Sequence, residues 1–360
     1  MRRTAALIVG GGPAGSAAAI ALARAGIDAE LVERTEGPHD TVCGGFLGWD
    51  ALAALERLGL DPAALGARPI RRLRLVSATR SVEVALPRLA AGLSRRTLDE
   101  ALLDEARRAG ATIRRGRTVR AAELGERRVR LDGDEELAGA ALLLATGKHE
   151  LRGGARPVDI STRPLGLRTS LAPSPALTAS LEGVIELHLY DGGYAGLLLQ
   201  EDGSANLCLS ASRERLKAAG GIEPLVARLA GELPAFAERL GAGQGGEWSA
   251  VSGVPYGWRA AATVEGVYRI GDQAAVIASL AGDGIAIALE SGIAAARAIA
   301  GGIPAADYQR DWARRARRPV GLAEALRRSA ESRVARQAMM GLLRWLPSLA
   351  PLAARLTRIG

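Results

Sequence analysis

The sequence predicts a mixed α/β protein: a parallel βαβ unit at the N-terminus, an antiparallel β-sheet set into the middle of the chain, and a basic helical segment at its end. Three observations carry this. The first is an apolar run, Ala5–Val9, a turn Gly10-Gly11-Gly12-Pro13-Ala14-Gly15, a helical pattern to Ala25, a stop at Gly26 and a second apolar run, Ile27–Glu33. The second is the strand character of Val184–Tyr190, Gly193–Gln200 and Asn206–Ser210. The third is charge: residues 305–360 hold twelve arginines against four acids, which accounts for the whole net charge of +8 and leaves residues 1–304 neutral.

Between these landmarks each element has its own signal. Leu73, Leu75, Val82, Val84 and Leu86 alternate with polar residues from Arg72 to Leu86, as a β-hairpin does. Thr97–Ala109 places Leu98, Leu102, Leu103 and Ala106 on one helical face. A strand follows at Thr112–Arg120, then a hairpin around Asp132-Gly133-Asp134 and a buried strand at Ala141–Ala145. Residues 161–212 read as the antiparallel sheet, Ile222–Leu240 as helix, Val267–Ile270 as a strand and Gly284 to Ala300 as a helix. The expected division is a discontinuous nucleotide-binding domain (1–70, 91–160, 250–304), a second domain (71–90, 161–249) and the helical segment 305–360.

The 360 residues are 48% hydrophobic and 24% charged, which fits a globular chain with an ample core. Aromatics make up only 3%, so that core must be built from Leu, Val, Ile and Ala. Two cysteines, Cys43 and Cys208, cannot make a disulfide framework, and the scattered His39, His149 and His188 lack metal-ligand spacing, so no metal site is expected. A reducing, cytoplasmic setting follows. A pI near 10.2 would suit nucleic acid, but no basic stripe with interleaved aromatics and no recognition motif accompanies it, so no nucleic-acid partner is expected. Met1-Arg2-Arg3 before an apolar run superficially resembles a signal peptide, an impression the glycines of the turn argue against. No apolar stretch reaches the roughly 18 residues a membrane span needs.

A G-x-G-x-x-G match alone is weak, since Gly241–Gly246 also fits it but follows a helical pattern and reads as a flexible loop. The N-terminal copy has a strand before it, a helix after it and Glu33 at the end of the next strand. Gly10 permits the tight turn, Gly12 lets backbone approach a pyrophosphate, and Gly15 lets the helix pack closely on the sheet, with Pro13 and Ala14 opening that helix. The amides there face phosphate charge. Glu33 would accept hydrogen bonds from both hydroxyls of an adenosine ribose. A dinucleotide is implied, NAD or FAD.

Five ordered blocks then resemble the FAD-dependent oxidoreductases that include geranylgeranyl reductases and para-hydroxybenzoate-hydroxylase-type flavin monooxygenases. They are Leu7–Arg34, Val42-Cys43-Gly44-Gly45-Phe46-Leu47, Ser94-Arg95-Arg96-Thr97-Leu98-Asp99, Ala145-Thr146-Gly147-Lys148-His149, and Gly271-Asp272 through Gly284. The resemblance implies a Rossmann-like FAD-binding domain of the para-hydroxybenzoate hydroxylase type, with an inserted antiparallel sheet for substrate. It implies that Asp272 binds the ribityl hydroxyls, and that Gly282, Gly284 and the Ile285 amide face the N1–C2=O edge of the isoalloxazine. Arg95 would reach the pyrophosphate or ribityl chain, while Arg34 and Val119 would border the adenine. Thr146 and Gly147 complete the expected cofactor contacts, and the opening turn and the late acidic turn are expected at opposite ends of the bound nucleotide. Cys43-Gly44-Gly45 resembles the segment that reductase-like members place near the flavin, with Cys43 as a candidate catalytic thiol. Cys208 is expected to be structural.

Gly193-Tyr194-Ala195-Gly196 resembles the reductase segment in which a Tyr-x-Trp pair faces substrate, with Gly196 where that tryptophan stands. Tyr194 is thus a candidate catalytic and pocket residue, and Tyr256 and Trp258 are further pocket candidates. Thr146 replaces the aspartate that the hydroxylases link to FAD and NAD(P)H, so the electron source is left open between NAD(P)H and another reductase. The expected function is an FAD-dependent oxidoreductase acting on a lipophilic or aromatic small molecule. Monooxygenation through a C4a-hydroperoxyflavin stands ahead of saturation of a carbon–carbon double bond, and a non-catalytic flavin-binding or electron-transfer role comes last. A flavin halogenase is disfavoured, because the only lysines are Lys148 and Lys217 and no Trp-x-Trp-x-Ile-Pro segment is present. For residues 305–360 the plainest reading is a helical layer with solvated arginines. The alternatives are peripheral contact with an anionic membrane, contact with an acidic carrier protein, or a cap on the substrate pocket.

Overall fold

A computed structural model describes residues 3–359; Met1 and Arg2, the start of the signal-like stretch, lie outside them. The chain runs β1 (Arg3–Val9), α1 (Pro13–Arg24), β2 (Ala29–Val32), β3 (Phe46–Leu47), α2 (Trp49–Arg57), β4 (Arg68–Val76), β5 (Ser81–Gly92), α3 (Arg95–Arg108), β6 (Thr112–Arg114), β7 (Val119–Glu123), β8 (Arg128–Leu131) and β9 (Glu136–Leu144). It continues with β10 (Leu165–Leu171), α4 (Pro175–Leu181), β11 (Val184–Tyr190), β12 (Gly193–Leu199), β13 (Ala205–Ala211), α5 (Arg213–Ala219), α6 (Ile222–Glu232), α7 (Pro234–Gly241), β14 (Ser249–Val251) and β15 (Val267–Arg269). Four helices follow the last short turns: α8 (Gly284–Ala300), α9 (Ala305–Glu331), α10 (Arg333–Trp345) and α11 (Leu349–Leu356).

Two sheets organise the molecule. In the first, β6, β2, β1 and β9 are parallel neighbours, β15 adds parallel to the end of β9, and β8 and β7 complete the far edge as antiparallel strands. Its central strands are buried along most of their length, β2 throughout and β1 from Ala6 to Val9, as strands covered on both faces are. Helices α1, α3 and α8 pack with them into the largest core cluster, which is mostly Ala, Leu and Ile. The second sheet has the order β14-β10-β13-β12-β11-β4-β5-β3. It takes in slightly more chain than 71–90 and 161–249, because β4 begins at Arg68, β5 runs to Gly92, and Phe46–Leu47 pairs with β5.

The second sheet has one face toward a cavity and one toward a helical layer. Leu73 and Leu75 on β4, and Ile185, Leu187 and Leu189 on β11, line the cavity at every second position. The alternate positions Arg74, Glu186 and His188 point the other way, as the strand period of two requires. There Glu186 accepts from Arg74 at 2.6 Å and Arg239 at 3.0 Å and lies 2.8 Å from His188 Nε2, under Phe236 of α7.

Three expected elements differ. The strand expected at Thr112–Arg120 divides at Gly116, whose φ of +68° turns the chain out of β6 before β7 begins. The helix expected over Ile222–Leu240 is broken at Leu233, because Pro234 restricts the residue before it to extended backbone. The loop Gly241–Gly246, expected to be flexible, is held in place. It is pinned to β10 by Ala172 N–H to Gln244 and Gly246 N–H to Ser170.

Candidate functional site

The carboxyl ends of four adjacent parallel strands build the site. Just past β2, β1, β9 and β15 come Glu33, the Gly10–Gly15 turn, Ala145-Thr146-Gly147 and Gly271-Asp272. Open α/β sheets form their ligand crevice along this edge. Gly10 takes φ +107°, and a Cβ there would stand 2.5 Å from the Ala145 carbonyl oxygen. A side chain at Gly15 would overlap the Gly10 carbonyl oxygen itself. Glycine is therefore what lets β1, β9 and α1 meet so closely. Gly15 packs rather than lines the cleft, and the first amides of α1 have no intrahelical partner, which makes that helix end ready for an anion.

Glu33 is buried, and donors surround its carboxylate. The Gly11 N–H donates to Oε2 at 2.6 Å, and the Thr35 N–H and hydroxyl each donate to Oε1 at 2.9 Å. Burial alone would raise its pKa, but the hydrogen bonds from Thr35 and Gly11 outweigh burial and hold the carboxyl below its usual 4.5. Arg34 Nη2 lies 3.0 Å from His149 Nε2, and Arg34 and Val119 line this end of the cleft. Burial, with Arg34 and Lys148 beside it, lowers the His149 pKa.

The late turn lies against the first one. A Cβ on Gly271 would stand 2.9 Å from Cβ of Ala14, so the two turns are neighbours and not the opposite ends of the cleft that were expected. Parallel pairing of β1, β9 and β15 forces this, since it brings all three strand ends to one place. Lys148 Nζ lies 3.3 Å from Asp272 Oδ2, and that carboxylate raises the pKa of the ammonium. Buried Arg156 ties the loops together by donating to the carbonyls of Asp272 at 2.8 Å and Lys148 at 3.1 Å. Arg95 stands over Gly12 and forks onto Asp99 with bonds of 2.7 and 2.6 Å. Burial opposes its charge, but Asp99 more than offsets this and the guanidinium pKa is raised. Cys43 lines the same cleft.

Past Cys43, Gly44 and Gly45 the cleft opens into the cavity over the second sheet, and the two enclose about 770 Å³. Its far wall is Met339, Leu342 and Leu343 of α10 with Leu349 and Ala350 of α11. Residues 305–360 are thus a wall of the cavity and not merely a solvated layer. The reason is that α10 turns Met340 and Leu343 inward, onto the same cluster as Leu75, Leu187 and Tyr194.

Tyr194 and Tyr256 both line the cavity. Tyr256 Oη lies 3.0 Å from Ser279 Oγ, whereas the buried Tyr194 hydroxyl has no hydrogen-bond partner. Burial, with Tyr256 alongside, pushes the Tyr194 pKa well above 10. Trp258 does not line the cavity. Its indole N–H donates to the Gln273 carbonyl at 3.2 Å, so it braces the late turn from behind. Cys208, expected to be structural, does line the cavity, and burial pushes its thiol up to about 12.

At the start of α8, Gly282, Gly284 and Ile285 line the cleft, and Gly282 takes φ +71° against the Phe46 ring. The sequence reading missed Asp283 between them. It is fully buried and bonds to Arg358 Nη1 at 2.8 Å and to the Ile359 N–H at 3.1 Å, while the Arg358 guanidinium stacks 4.4 Å from the Trp49 ring. Gly-Asp-Gly before a helix signals a cap, but nothing local to it announces a partner 75 residues away. Among the described residues no cluster of His, Cys, Asp and Glu could hold a metal.

The glycine cradle, the open helix ends and the carboxylates past β2 and β15 fit a dinucleotide, and the comparisons name it. Residues 3–141 match the family described as FAD binding domain. The chain is 28% identical to a menaquinone reductase of Mycobacterium tuberculosis, over 98% of this chain and 88% of that protein. Among solved structures it is similar to the flavin-dependent brominase Bmp2 (TM-score 0.82, 16% identity, 99% of this chain and 93% of that one). It is also similar to PqsL, a probable FAD-dependent monooxygenase from Pseudomonas aeruginosa (0.71, 19%, 93% and 98%). A geranylgeranyl bacteriochlorophyll reductase-like protein from Thermoplasma acidophilum is similar as well (0.68, 20%, 91% and 83%). These three structures share the fold and differ in their named chemistry, so the fold alone does not choose a reaction. Residues 3–141 thus match an FAD binding domain, and the chain as a whole has the fold shared by these flavin-dependent and geranylgeranyl reductase-like proteins.

Proposed function

We propose that the protein reduces a carbon–carbon double bond in a long, apolar, prenyl-type chain, with Tyr194 as the proton donor. The observation that carries this reading is a leucine-lined cavity with two buried, unpartnered hydroxyls in its wall, those of Tyr194 and Ser210, of which the phenol is the stronger acid. Similarity over nearly the whole chain to proteins named menaquinone reductase, whose namesake carries such a chain, supports reduction over the monooxygenation that the sequence alone put first. FAD, bound in its reduced form, supplies a hydride. Tyr194 holds the matching proton at Oη, because burial keeps the phenol protonated throughout the physiological range. Leu187, Leu189 and Leu343 keep water from the reacting carbon.

The same geometry supports a set of cofactor contacts. The Gly10–Gly15 turn and Arg95 would hold the pyrophosphate, and Asp272 and Lys148 would hold the ribityl chain. The first amides of α8 would stabilise negative charge on a reduced flavin. Glu33 already accepts three hydrogen bonds, and of the roughly four acceptor sites of a carboxylate that leaves one, for a single ribose hydroxyl and not two.

The test is anaerobic. Protein loaded with FAD and reduced with dithionite is mixed with a short-chain menaquinone, and the product is expected to gain two hydrogens in its prenyl chain. A product that gains oxygen instead, and only once air is admitted, overturns the reading in favour of monooxygenation. Replacing dithionite with NADPH decides whether the electrons come from the nucleotide or from a separate reductase.

A further inference from the structure

We propose that α10 and α11 seat the protein on an anionic lipid surface, with the mouth of the cavity opening into that surface. Helix α10 has two apolar faces. Met340 and Leu343 are buried against the second sheet. On the opposite side Val334, Leu342 and Trp345, spaced by eight and three residues and so on one stripe, are 78, 50 and 84% exposed. The outer face of a globular protein's helix is ordinarily polar. Leu346 and Leu352 extend this surface into α11, so five of the nine exposed large apolar side chains among the described residues fall between 334 and 352. That is a patch and not the scatter any surface shows.

Charge selects the occupant. No acidic residue occurs between 332 and 360, and Arg333, Arg344 and Arg355 are exposed around the apolar stripe. On α9, Arg314, Arg317 and Arg318 form a basic depression against Leu356 of α11. An apolar stripe carrying an exposed tryptophan and rimmed by arginines matches the boundary between acyl chains and anionic headgroups. An acidic protein would pair with the arginines but leave the stripe without an apolar partner. No described helix is long and apolar enough to cross a membrane, which is consistent with a seat on the surface.

The cavity meets this surface at one residue. Leu342 is half exposed on the stripe and also lines the cavity, next to Met339 and Leu349. A lipophilic chain could pass from the bilayer to the flavin side without crossing water. Only this last point rests on the reading of the cavity as a substrate site.

The experiment reads binding and not turnover, so its failure leaves the proposed reaction standing, and failure of the reaction leaves the seat standing. FAD-loaded full-length protein is sedimented with vesicles of phosphatidylglycerol and phosphatidylcholine, or of phosphatidylcholine alone. Binding is expected only to the anionic vesicles and should weaken as salt is raised. The double variant Val334→Ser/Trp345→Ser, which leaves the cavity lining intact, should bind about tenfold or more weakly while keeping its FAD. Absence of binding to anionic vesicles, or equal binding by the variant, overturns the proposal. So does light scattering that shows a stable dimer which the same substitutions convert to monomer, because the stripe then belongs to a second copy of the chain.

Discussion

The Arg358 guanidinium lies 2.8 Å from the Asp283 carboxylate, which bolts the end of the chain to the first turn of the helix that faces the flavin cleft. Asp283 stands at the N-terminal end of α8 yet makes no capping hydrogen bond, and Asp50 lies 3.8 Å from the same guanidinium. Two buried carboxylates therefore share one cation.

Removing that cation should be costly. Arg358→Ala leaves a buried acid without its partner, a change worth about 3–5 kcal/mol in comparable sites. The loss should depend on pH in a definite direction. Burial, with Asp50 adding to it, raises the Asp283 pKa well above 3.8, so the folded state holds its proton more tightly than the unfolded state. The stability this group contributes is full at low pH and is lost as pH rises through the folded pKa. Without Arg358 that pKa rises further. The variant's deficit in Tm should shrink in acid and be largest at neutral pH, as a melting series against pH would read.

Glu186 gives the opposite sign. Burial would raise its pKa, but His188, Arg239 and Arg74 outweigh burial and lower it from 4.5 to about 2. Stability from this carboxylate is present above 4.5 and is lost as pH falls toward 2. A shift of this size corresponds to something on the order of 3 kcal/mol. Glu186→Gln should lower stability at neutral pH and flatten the acid limb of the melting curve between those two values. An unchanged acid limb would mean that other carboxylates dominate acid unfolding.

Much of this site was legible because its signals are local. The turn Gly10–Gly15 and Glu33 announce themselves by spacing within one βαβ unit, and the Leu73/Leu75 alternation is a property of one strand. Asp283 with Arg358, and Tyr194 with Tyr256, are tertiary meetings that no spacing encodes. Helix α10 shows a different limit. Its sequence reveals two apolar faces, Met340/Leu343 and Val334/Trp345, but not which of them the sheet will bury. Cys208 shows a similar limit, since a strand residue can face a cavity as readily as a core.

The two cysteines should separate chemically. The thiolate is the reactive form, and burial pushes Cys208 up to about 12, so it stays a thiol near neutrality. Iodoacetamide at neutral pH should leave Cys208 unmodified in the folded protein. Cys43 lies half-buried in the cleft beside Arg95, where bound FAD would cover it. Its labelling should be faster in apoprotein than in holoprotein, a difference that peptide mass spectrometry reads directly.

The carboxylates past β2 and β15 should govern cofactor retention. Glu33→Ala removes the acceptor of the Gly11 N–H and should loosen the turn proposed to hold the pyrophosphate. A hydrogen bond to a charged group is worth about 1.5–3 kcal/mol, so FAD should bind roughly ten- to a hundredfold more weakly. Asp272→Ala should do the same and also release Lys148. Ultrafiltration of the yellow protein measures both, and full flavin occupancy in both variants would show that the assigned contacts are wrong.

Tyr194→Phe separates chemistry from folding. The substitution keeps the ring, and with it the packing against Leu189 and Leu343, and deletes only a buried hydroxyl that has no partner. Stability should be unchanged or slightly higher, because an unsatisfied polar group is removed. FAD occupancy should also be unchanged, since none of the cradle residues bonds to Tyr194. The rate of double-bond reduction should nevertheless fall by about 10²–10⁴, the usual worth of a positioned general acid, and the loss should appear in kcat rather than KM. Tyr256→Phe, which removes a hydroxyl already bonded to Ser279, should cost less than Tyr194→Phe. If Tyr194→Phe turns over at the wild-type rate, the proton comes from elsewhere, and Tyr194 is a wall of the cavity and nothing more.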